Sequence, residues 1–232
     1  MLSKAEIKDI RALSQKKFRD ERRLFVVEGE KLVAEALASG LEVVRVLRMD
    51  EIGQEAMSRI SMLSTPSPVL AVVRMPEPAA VEVDTAGLTI ALDSLRDPGN
   101  VGTIIRLADW FGIRNMIASN DTVDIYNPKV VQATMGAIFR VKFSYCDLPA
   151  VLAGVYCPVY GTYLEGENIY DSELSSNGVI IMGSESNGIS ERVGKCVTRK
   201  ITIPPFSSGK TVCESLNVAV AAAVICSEFR RR

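Results

Sequence analysis

Three short segments of this chain carry polar side chains at points where strands are predicted to end. The first holds Asn100 and Arg106, the second holds Glu185 between two glycines, and the third is a Ser-Leu-Asn triplet at residues 215–217. The sequence contains no histidine, which excludes catalysis by a Ser–His or a Cys–His pair. Any chemistry must therefore use arginine, lysine, acidic residues or tyrosine, or the positioning of reactants alone.

The first segment combines a forced turn with a helix. Pro98 and Gly99 produce the turn, and Asn100 is predicted to cap the helix that follows. Arg106 lies two turns into that helix, among apolar residues. One interpretation is that its side chain simply reaches solvent from an amphipathic helix. The other is that it is a fixed cation at the edge of the sheet where open α/β folds bind ligands.

The other two segments are rich in small residues. Gly183 and Gly188 flank Glu185, and glycine permits close backbone approach and positive φ, although such a turn is common by itself. The third segment contains SGKT, as a phosphate-binding P-loop does, but Pro204 occupies the position where that motif needs glycine. A Gly/Ser loop around Gly209 is predicted instead, followed by a helix of small apolar residues.

The pattern after residue 87 predicts a mostly parallel sheet covered on both faces, because continuous apolar runs alternate with helices. The predicted strands are LTIALDSL, NMIAS, CPVYGTYL, GVIIMGS and RKITIP, and the predicted helices span residues 101–111, 129–136, 148–154 and 214–230.

The first part of the chain reads as a separate, smaller α/β domain. A stretch with two prolines and several small and acidic residues, residues 76–87, is predicted to be a linker. Before it come two helices, at residues 4–13 and 30–38, and the strands LFVVEG, VVRVLRM and PVLAVVRM. We therefore expect domains at residues 1–75 and 88–232.

Composition sets the class of protein. The chain has 232 residues, 47% of them apolar and 24% charged, which is ordinary for a globular protein. No apolar run reaches the ~18 residues of a membrane span, and the first residues lack the apolar core of a signal peptide. We therefore expect a cytoplasmic protein that does not insert into membranes.

Five cysteines are present, with no C-x-x-C pair among them: Cys146, Cys157, Cys196, Cys213 and Cys226. Without histidine, a zinc site would need cysteine and carboxylate ligands only. Buried reduced thiols are the favoured interpretation, and no metal is expected.

Charge is unevenly distributed. The net charge is −1, which argues weakly against a nucleic-acid partner. The first segment is nevertheless basic, and its cations include Lys16, Lys17, Arg19, Arg22 and Arg23. These residues form either a solvated helix face or a phosphate-binding patch.

Taken together in this order, the three polar segments resemble the motifs of the SpoU/TrmH-type RNA methyltransferases of the SPOUT superfamily. The matching residues are Asn100, Gly102, Ile104, Arg106, Phe111 and Gly112; Gly183, Glu185 and Gly188; and Ile203, Pro204, Ser215, Leu216, Asn217 and Val218. The resemblance extends from about Leu88 to Arg231. It implies an α/β fold whose C-terminal segment is threaded into a deep trefoil knot, which is rare because chains seldom thread loops.

The resemblance also implies an activity. Enzymes of this type transfer a methyl group from S-adenosylmethionine to a ribose 2′-hydroxyl of RNA. The residues implied to serve catalysis are Arg106, Asn100, Glu185, Ser215 and Asn217. The resemblance also implies a homodimer formed through the knotted domain, in which Arg106 of one subunit acts on the site of the other. The residues implied to bind the cofactor are Thr162, Gly183, Ile203, Ser215 and Leu216.

The N-terminal segment resembles the substrate-binding domain of one subset of these enzymes, which has a ribosomal-protein-L30e-like α/β fold. The resemblance rests on the Lys-Lys-x-Arg stretch at residues 16–19 and on the Val-Glu-Gly turn at residues 27–29. It implies that Lys16, Lys17, Arg19, Arg22 and Arg23 bind RNA. Relatives that modify tRNA usually lack this domain, so rRNA is the expected substrate.

Two alternatives are open. A non-catalytic RNA-binding or ribosome-assembly factor could keep the same fold. The altered third motif leaves room for this alternative. That motif is longer than usual, Pro205 replaces a common Met, and Ala219 stands where many relatives have Ser. A base methyltransferase is disfavoured, because the Asn-x-Gly and Ser-Leu-Asn signatures belong to the ribose-modifying branch.

Overall fold

The computed structural model describes residues 2–78, 80–206 and 214–231. Its backbone contacts divide the chain into two units. One consists of Met1–Pro78 and Asp124–Arg140, and the other of Ala79–Val123 and Val141–Arg232.

Helices and strands alternate along the described part of the chain. The helices are α1 (Lys4–Ala12), α2 (Lys16–Arg22), α3 (Glu30–Ala38), α4 (Met49–Ile52), α5 (Gln54–Ile60), α6 (Pro98–Trp110), α7 (Pro128–Thr134), α8 (Leu148–Leu152), α9 (Glu191–Gly194) and α10 (Val218–Arg231). The strands are β1 (Leu24–Glu28), β2 (Val43–Arg48), β3 (Val69–Arg74), β4 (Leu88–Asp93), β5 (Asn115–Ser119), β6 (Lys142–Cys146), β7 (Val159–Asn168), β8 (Gly178–Gly183) and β9 (Arg199–Thr202).

The first unit is built on a three-stranded antiparallel sheet in the order β1-β3-β2. Successive side chains of a strand point to opposite faces, so β3 serves two cores. Ala71 and Val73 belong to the core on the α3 side. Leu70 and Val72 belong to the core formed with α1 and α5. Burial on both faces explains why the apolar run in β3 is continuous rather than alternating.

The segment Asp124–Arg140, which leaves the second sheet after β5 and returns at β6, completes the first unit. Val131 of α7 is buried in the core on the α3 side. The ring of Tyr126 lies 4.8 Å from that of Phe25, centroid to centroid. Burial raises the pKa of Tyr126 to about 12, so this phenol stays neutral. The sequence pattern predicted the α7 helix but placed it in the larger domain.

Arg19 is buried in this unit and does not face solvent. Its guanidinium donates to the carboxylate of Asp124, with Nε 3.1 Å from Oδ2, and to the carbonyl oxygens of Leu13 and Ser14. Only 1% of Arg19 is exposed. The prediction that Arg19 binds RNA is therefore wrong, because its guanidinium is buried and bonded to acceptors inside the protein.

The second unit is a six-stranded sheet in the order β6-β5-β4-β8-β7-β9, and every pair of neighbouring strands is parallel. α10 packs against α6, and Arg230 fixes the two helices by donating to the carbonyl oxygens of Phe111 (2.8 Å) and Gly112 (3.3 Å) at the end of α6. The expected fold class, a mostly parallel α/β sheet with a small N-terminal α/β domain, is confirmed.

Several details differ from the sequence-based expectation. Strand β6 and helices α2, α4 and α5 were not predicted, and α10 begins at Val218 rather than Glu214. The Gly/Ser loop around Gly209 lies outside the described residues. So does part of the path that would form the trefoil knot.

Replacing Arg19 with Ala should destabilise the protein strongly. Removing one partner of a buried ion pair leaves the other charge uncompensated, which costs about 3–5 kcal/mol. Denaturant unfolding measures the loss. The control is Lys16→Ala, since the exposed Lys16–Asp20 pair is worth about 0–1 kcal/mol. Equal effects of the two substitutions would contradict a structural role for Arg19.

Candidate active site

The three polar segments meet through side-chain hydrogen bonds. The amide nitrogen of Asn100, in α6, donates to Oε1 of Glu185 at 2.7 Å. The amide nitrogen of Asn217, which precedes α10, donates to Oδ1 of Asn100 at 3.0 Å. Asn100 is separated from Glu185 by 85 residues and from Asn217 by 117, so tertiary folding alone brings them together.

The start of α10 fixes the direction of this network. Oδ1 of Asn217 accepts the backbone N–H groups of Ala219 (3.0 Å) and Val220 (3.2 Å), which would otherwise be unsatisfied at the helix start. The amide nitrogen of Asn217 must then point to Asn100, whose own oxygen accepts. The remaining nitrogen of Asn100 meets the acceptor-only carboxylate of Glu185. Each member therefore has one consistent orientation.

Asn100 is free for this role because another residue caps α6. The cap is Asp97, whose carboxylate accepts the backbone N–H of Asn100 at 2.7 Å. Pro98 occupies the first turn, where its lack of an N–H costs nothing. The prediction that Asn100 caps the helix is therefore wrong, and its side chain instead joins the three segments.

Arg106 is exposed on α6, two turns after Asn100. No described residue forms a hydrogen bond or an ion pair with its guanidinium, which leaves the positive charge available to a ligand. Trp110 lies one helical turn further on and is 83% exposed. The two side chains are four residues apart and so share one face of the helix.

Backbone packing requires glycine at position 183, and a positive φ favours glycine at position 188. A Cβ on Gly183 would lie 2.3 Å from the carbonyl carbon of Gly188. The backbones of Ser184 and Gly188 exchange two hydrogen bonds of 2.9 Å, and Gly188 has a φ of +64°. This tight hairpin presents Glu185 to Asn100.

A buried carboxylate that the sequence reasoning missed supports this hairpin. Asp93, at the end of β4, is 3% exposed, and its Oδ2 accepts the backbone N–H of Ser190 at 2.6 Å. Burial, reinforced by the charge of Asp93, raises the pKa of Tyr163. The position of an acidic residue at the very end of an apolar strand was the available signal for Asp93.

Three of the residues implied to bind the cofactor belong to neighbouring strands: Thr162 lies in β7, Gly183 ends β8 and Ile203 follows β9. The hydroxyl of Thr162 donates to the carbonyl oxygen of Ile181 at 2.9 Å, so it ties β7 to β8. Ile203 is half-buried just after β9, and Ser215 and Leu216 are exposed just before α10. Leu164 is exposed on β7, where its carbonyl oxygen accepts the hydroxyl of Thr202.

Two of the arginines in the predicted RNA-binding set have partners within the first unit. Arg22 donates to the carbonyl oxygen and the carboxylate of Asp9, both at 2.9 Å, and Arg23 donates to the carbonyl oxygen of Pro76 at 2.6 Å. Lys16 and Lys17 are exposed. Lys16 forms an exposed ion pair with Asp20 at 2.8 Å, and both lysines remain accessible to a phosphate.

The described residues show neither a metal-binding cluster nor a membrane-spanning helix. No group of three or more cysteine and acidic side chains there is arranged to hold a metal ion. No helix among them is long and apolar enough to cross a membrane.

Fold and site together define the class of protein. The model of the SpoU rRNA Methylase family matches residues 87–227, and that of the MRM3-like substrate binding domain matches residues 4–71. The first match covers more than half of the chain, and the chain belongs to the SpoU rRNA methylase family.

Individual relatives agree over nearly the full length. The chain is 31% identical to the 23S rRNA (guanosine(2553)-2′-O)-methyltransferase RlmP of Bacillus subtilis, over 97% of this chain and 96% of that protein. A putative RNA methyltransferase of the TrmH family from Porphyromonas gingivalis is 39% identical, with a TM-score of 0.88 over 100% of this chain and 99% of that one. An AdoMet-bound rRNA methyltransferase from Sinorhizobium meliloti is 29% identical, with a TM-score of 0.86 over 100% and 97%.

Two substitutions of Asn217 should separate its two tasks. Asn217→Ala removes both the helix cap and the bond to Asn100, and should cost about 1 kcal/mol of stability. Asn217→Ser keeps a capping oxygen but loses the bond to Asn100, so we expect nearly wild-type stability. Thermal unfolding measures the difference, and equal losses would contradict the capping role.

Proposed function

We propose that this protein transfers a methyl group from S-adenosylmethionine to a ribose 2′-hydroxyl of rRNA. The observation that carries the proposal is the Glu185–Asn100–Asn217 network, which assembles the three family motifs beside the accessible cation of Arg106. The relatives support the chemistry, since RlmP is named as a 23S rRNA 2′-O-methyltransferase and the Sinorhizobium meliloti enzyme as AdoMet-bound.

The residues at the strand ends suit this cofactor. Exposed apolar side chains, Leu164 and Leu216, offer surface to the apolar parts of the cofactor. We assign the holding of the cofactor to Thr162, Gly183, Ile203, Ser215 and Leu216.

When bound, S-adenosylmethionine supplies a methyl group already activated on a sulfonium. The chain must then align a 2′-hydroxyl with that methyl, and positioning of this kind can supply most of the rate enhancement.

Arg106 acts as a fixed cation in this account. An arginine keeps its proton in proteins, so it does not serve as the base. It orients a phosphate of the RNA and stabilises the oxyanion that develops on the attacking ribose oxygen. Asn100 holds α6, and with it Arg106, in register with the segments containing Glu185 and Ser215.

We further propose that two copies of the chain form a homodimer through α6 and α10. These helices pack together, yet Trp110 on α6 is 83% exposed and Val220 on α10 is 52% exposed. A contiguous exposed apolar patch marks an interaction surface, whereas a single exposed apolar residue does not. Arg106 lies on the same face of α6 as Trp110, so a second subunit seated there would receive its guanidinium.

The proposed substrate also sets the location. An enzyme acting on rRNA works where ribosomes are made, and we assign the protein to the cytoplasm. The N-terminal unit, which matches a substrate-binding domain, supports rRNA over tRNA as the substrate.

Arg106→Ala should lower kcat by about 10²–10³-fold, the loss seen when one donor to a developing oxyanion is removed. The assay is transfer of label from S-adenosylmethionine to rRNA lacking endogenous modification, with nuclease digestion to locate the labelled ribose. Arg114→Ala is the matched control, since Arg114 is an exposed arginine of the same unit that lies beyond Gly112, the last residue of the first motif. Cofactor binding with no labelled rRNA or tRNA for the wild type would instead favour a non-catalytic assembly factor.

Trp110→Glu should convert the dimer to a monomer and abolish methyl transfer, because a charge would enter the apolar contact. Light scattering coupled to size exclusion gives the mass. Tyr156→Glu is the control, as Tyr156 is fully exposed elsewhere in the same unit. A wild-type protein that is monomeric and active would rule out the shared site.

A further inference from the structure

The first unit contains an apolar cleft that no motif explains. It lies between the segment after α5 and the outer face of α7, with a volume of about 280 Å³. Its lining consists of Met62, Leu63, Pro128, Lys129, Gln132 and Ala133. This volume is just below the ~300–1,000 Å³ of small-molecule sites, so the cleft suits one planar group rather than a helix.

Two polar side chains of α7 border the apolar walls. Lys129 and Gln132 are three residues apart and therefore lie on one face of the helix. Neither side chain forms a hydrogen bond or an ion pair with any residue in the described ranges. Lys129 offers a cation, and the amide of Gln132 offers both a donor and an acceptor.

The surroundings of the cleft are electropositive. The guanidinium of Arg11 donates to the carbonyl oxygen of Ser61 and lies 3.5 Å from the sulfur of Met62. The carboxylate that contacts this segment, Glu28 at the end of β1, is buried and accepts from the hydroxyl of Ser61 at 2.7 Å and from the backbone N–H of Met62. Its charge is thus directed inward, while those of Arg11 and Lys129 remain at the surface.

We propose that this cleft binds one unstacked nucleobase of the substrate RNA. The apolar walls cover the faces of the base, Gln132 bonds its edge, and Lys129 pairs with an adjacent phosphate. Proteins read RNA sequence mainly through unpaired bases that are splayed out and held in this way. The inference rests on the proposed function and extends it, because it requires a single-stranded, bulged or looped substrate segment.

The test compares binding of the full-length protein to two RNA probes by fluorescence anisotropy at one fixed salt concentration. One probe is a short single-stranded RNA pool, and the other is a fully paired duplex of equal length, whose bases cannot enter a cleft. Ala133→Trp fills the cleft, and Gln132→Leu removes the amide with little change in volume. Ala5→Trp on α1 and Lys31→Ala on α3 are exposed controls in the same unit.

We expect Ala133→Trp to weaken single-strand binding about tenfold, within the range that base–side-chain contacts contribute. Duplex binding should be unchanged, and both controls should bind as the wild type does. Gln132→Leu should weaken single-strand binding by a smaller factor. If Ala133→Trp fails to fold, this second variant still tests whether the cleft binds a base.

If both cleft variants bind the single strand as tightly as the wild type does, the inference is overturned, and a protein segment becomes the alternative occupant of the cleft. Methyl transfer measured in parallel separates the two claims. If the wild type methylates rRNA while the cleft variants bind normally, only the nucleobase site fails. If the cleft variants lose single-strand binding but the wild type methylates nothing, the nucleobase site stands and the proposed activity fails.

Discussion

The side chain of Asn100 joins three parts of the chain that no local structure would bring together. Its nitrogen holds Glu185, its oxygen is held by Asn217, and Asn217 in turn starts α10. The arrangement depends on Asp97, which caps α6 and so leaves the Asn100 side chain unused at the helix start. Capping at the starts of α6 and α10, a local effect worth about 1 kcal/mol at each helix start, thereby sets the geometry of the whole site.

The parallel sheet could be predicted because both of its faces are covered, which makes its central strands continuous apolar runs. Strand β6 escaped prediction because it lies at the sheet edge, where Lys142 is exposed and Phe143 to Tyr145 are only half-buried. Helix α2 escaped because its sequence, KKFRDER, has no apolar periodicity for pattern reasoning to detect.

Long-range contacts limited what the sequence could reveal about individual residues. Arg19 looked like its basic neighbours, and only its pairing with Asp124, 105 residues away, removes it from the surface. The same holds for α7, whose apolar face could be predicted but whose partner sheet could not. Asn100 and Asp97 are both good capping residues, and Pro98 at the first helical position decides between them. The site motifs could be found by resemblance, whereas their connectivity required the structure.

The most direct test of this account is a double-mutant cycle on cofactor affinity. Isothermal titration with S-adenosylmethionine would compare the wild type, Asn100→Ala, Asn217→Ser and the combined variant. If one network assembles the site, the two substitutions remove the same interaction, and their effects should be non-additive by about 0.5–3 kcal/mol. Strictly additive effects would show that the two asparagines act independently and would contradict the account.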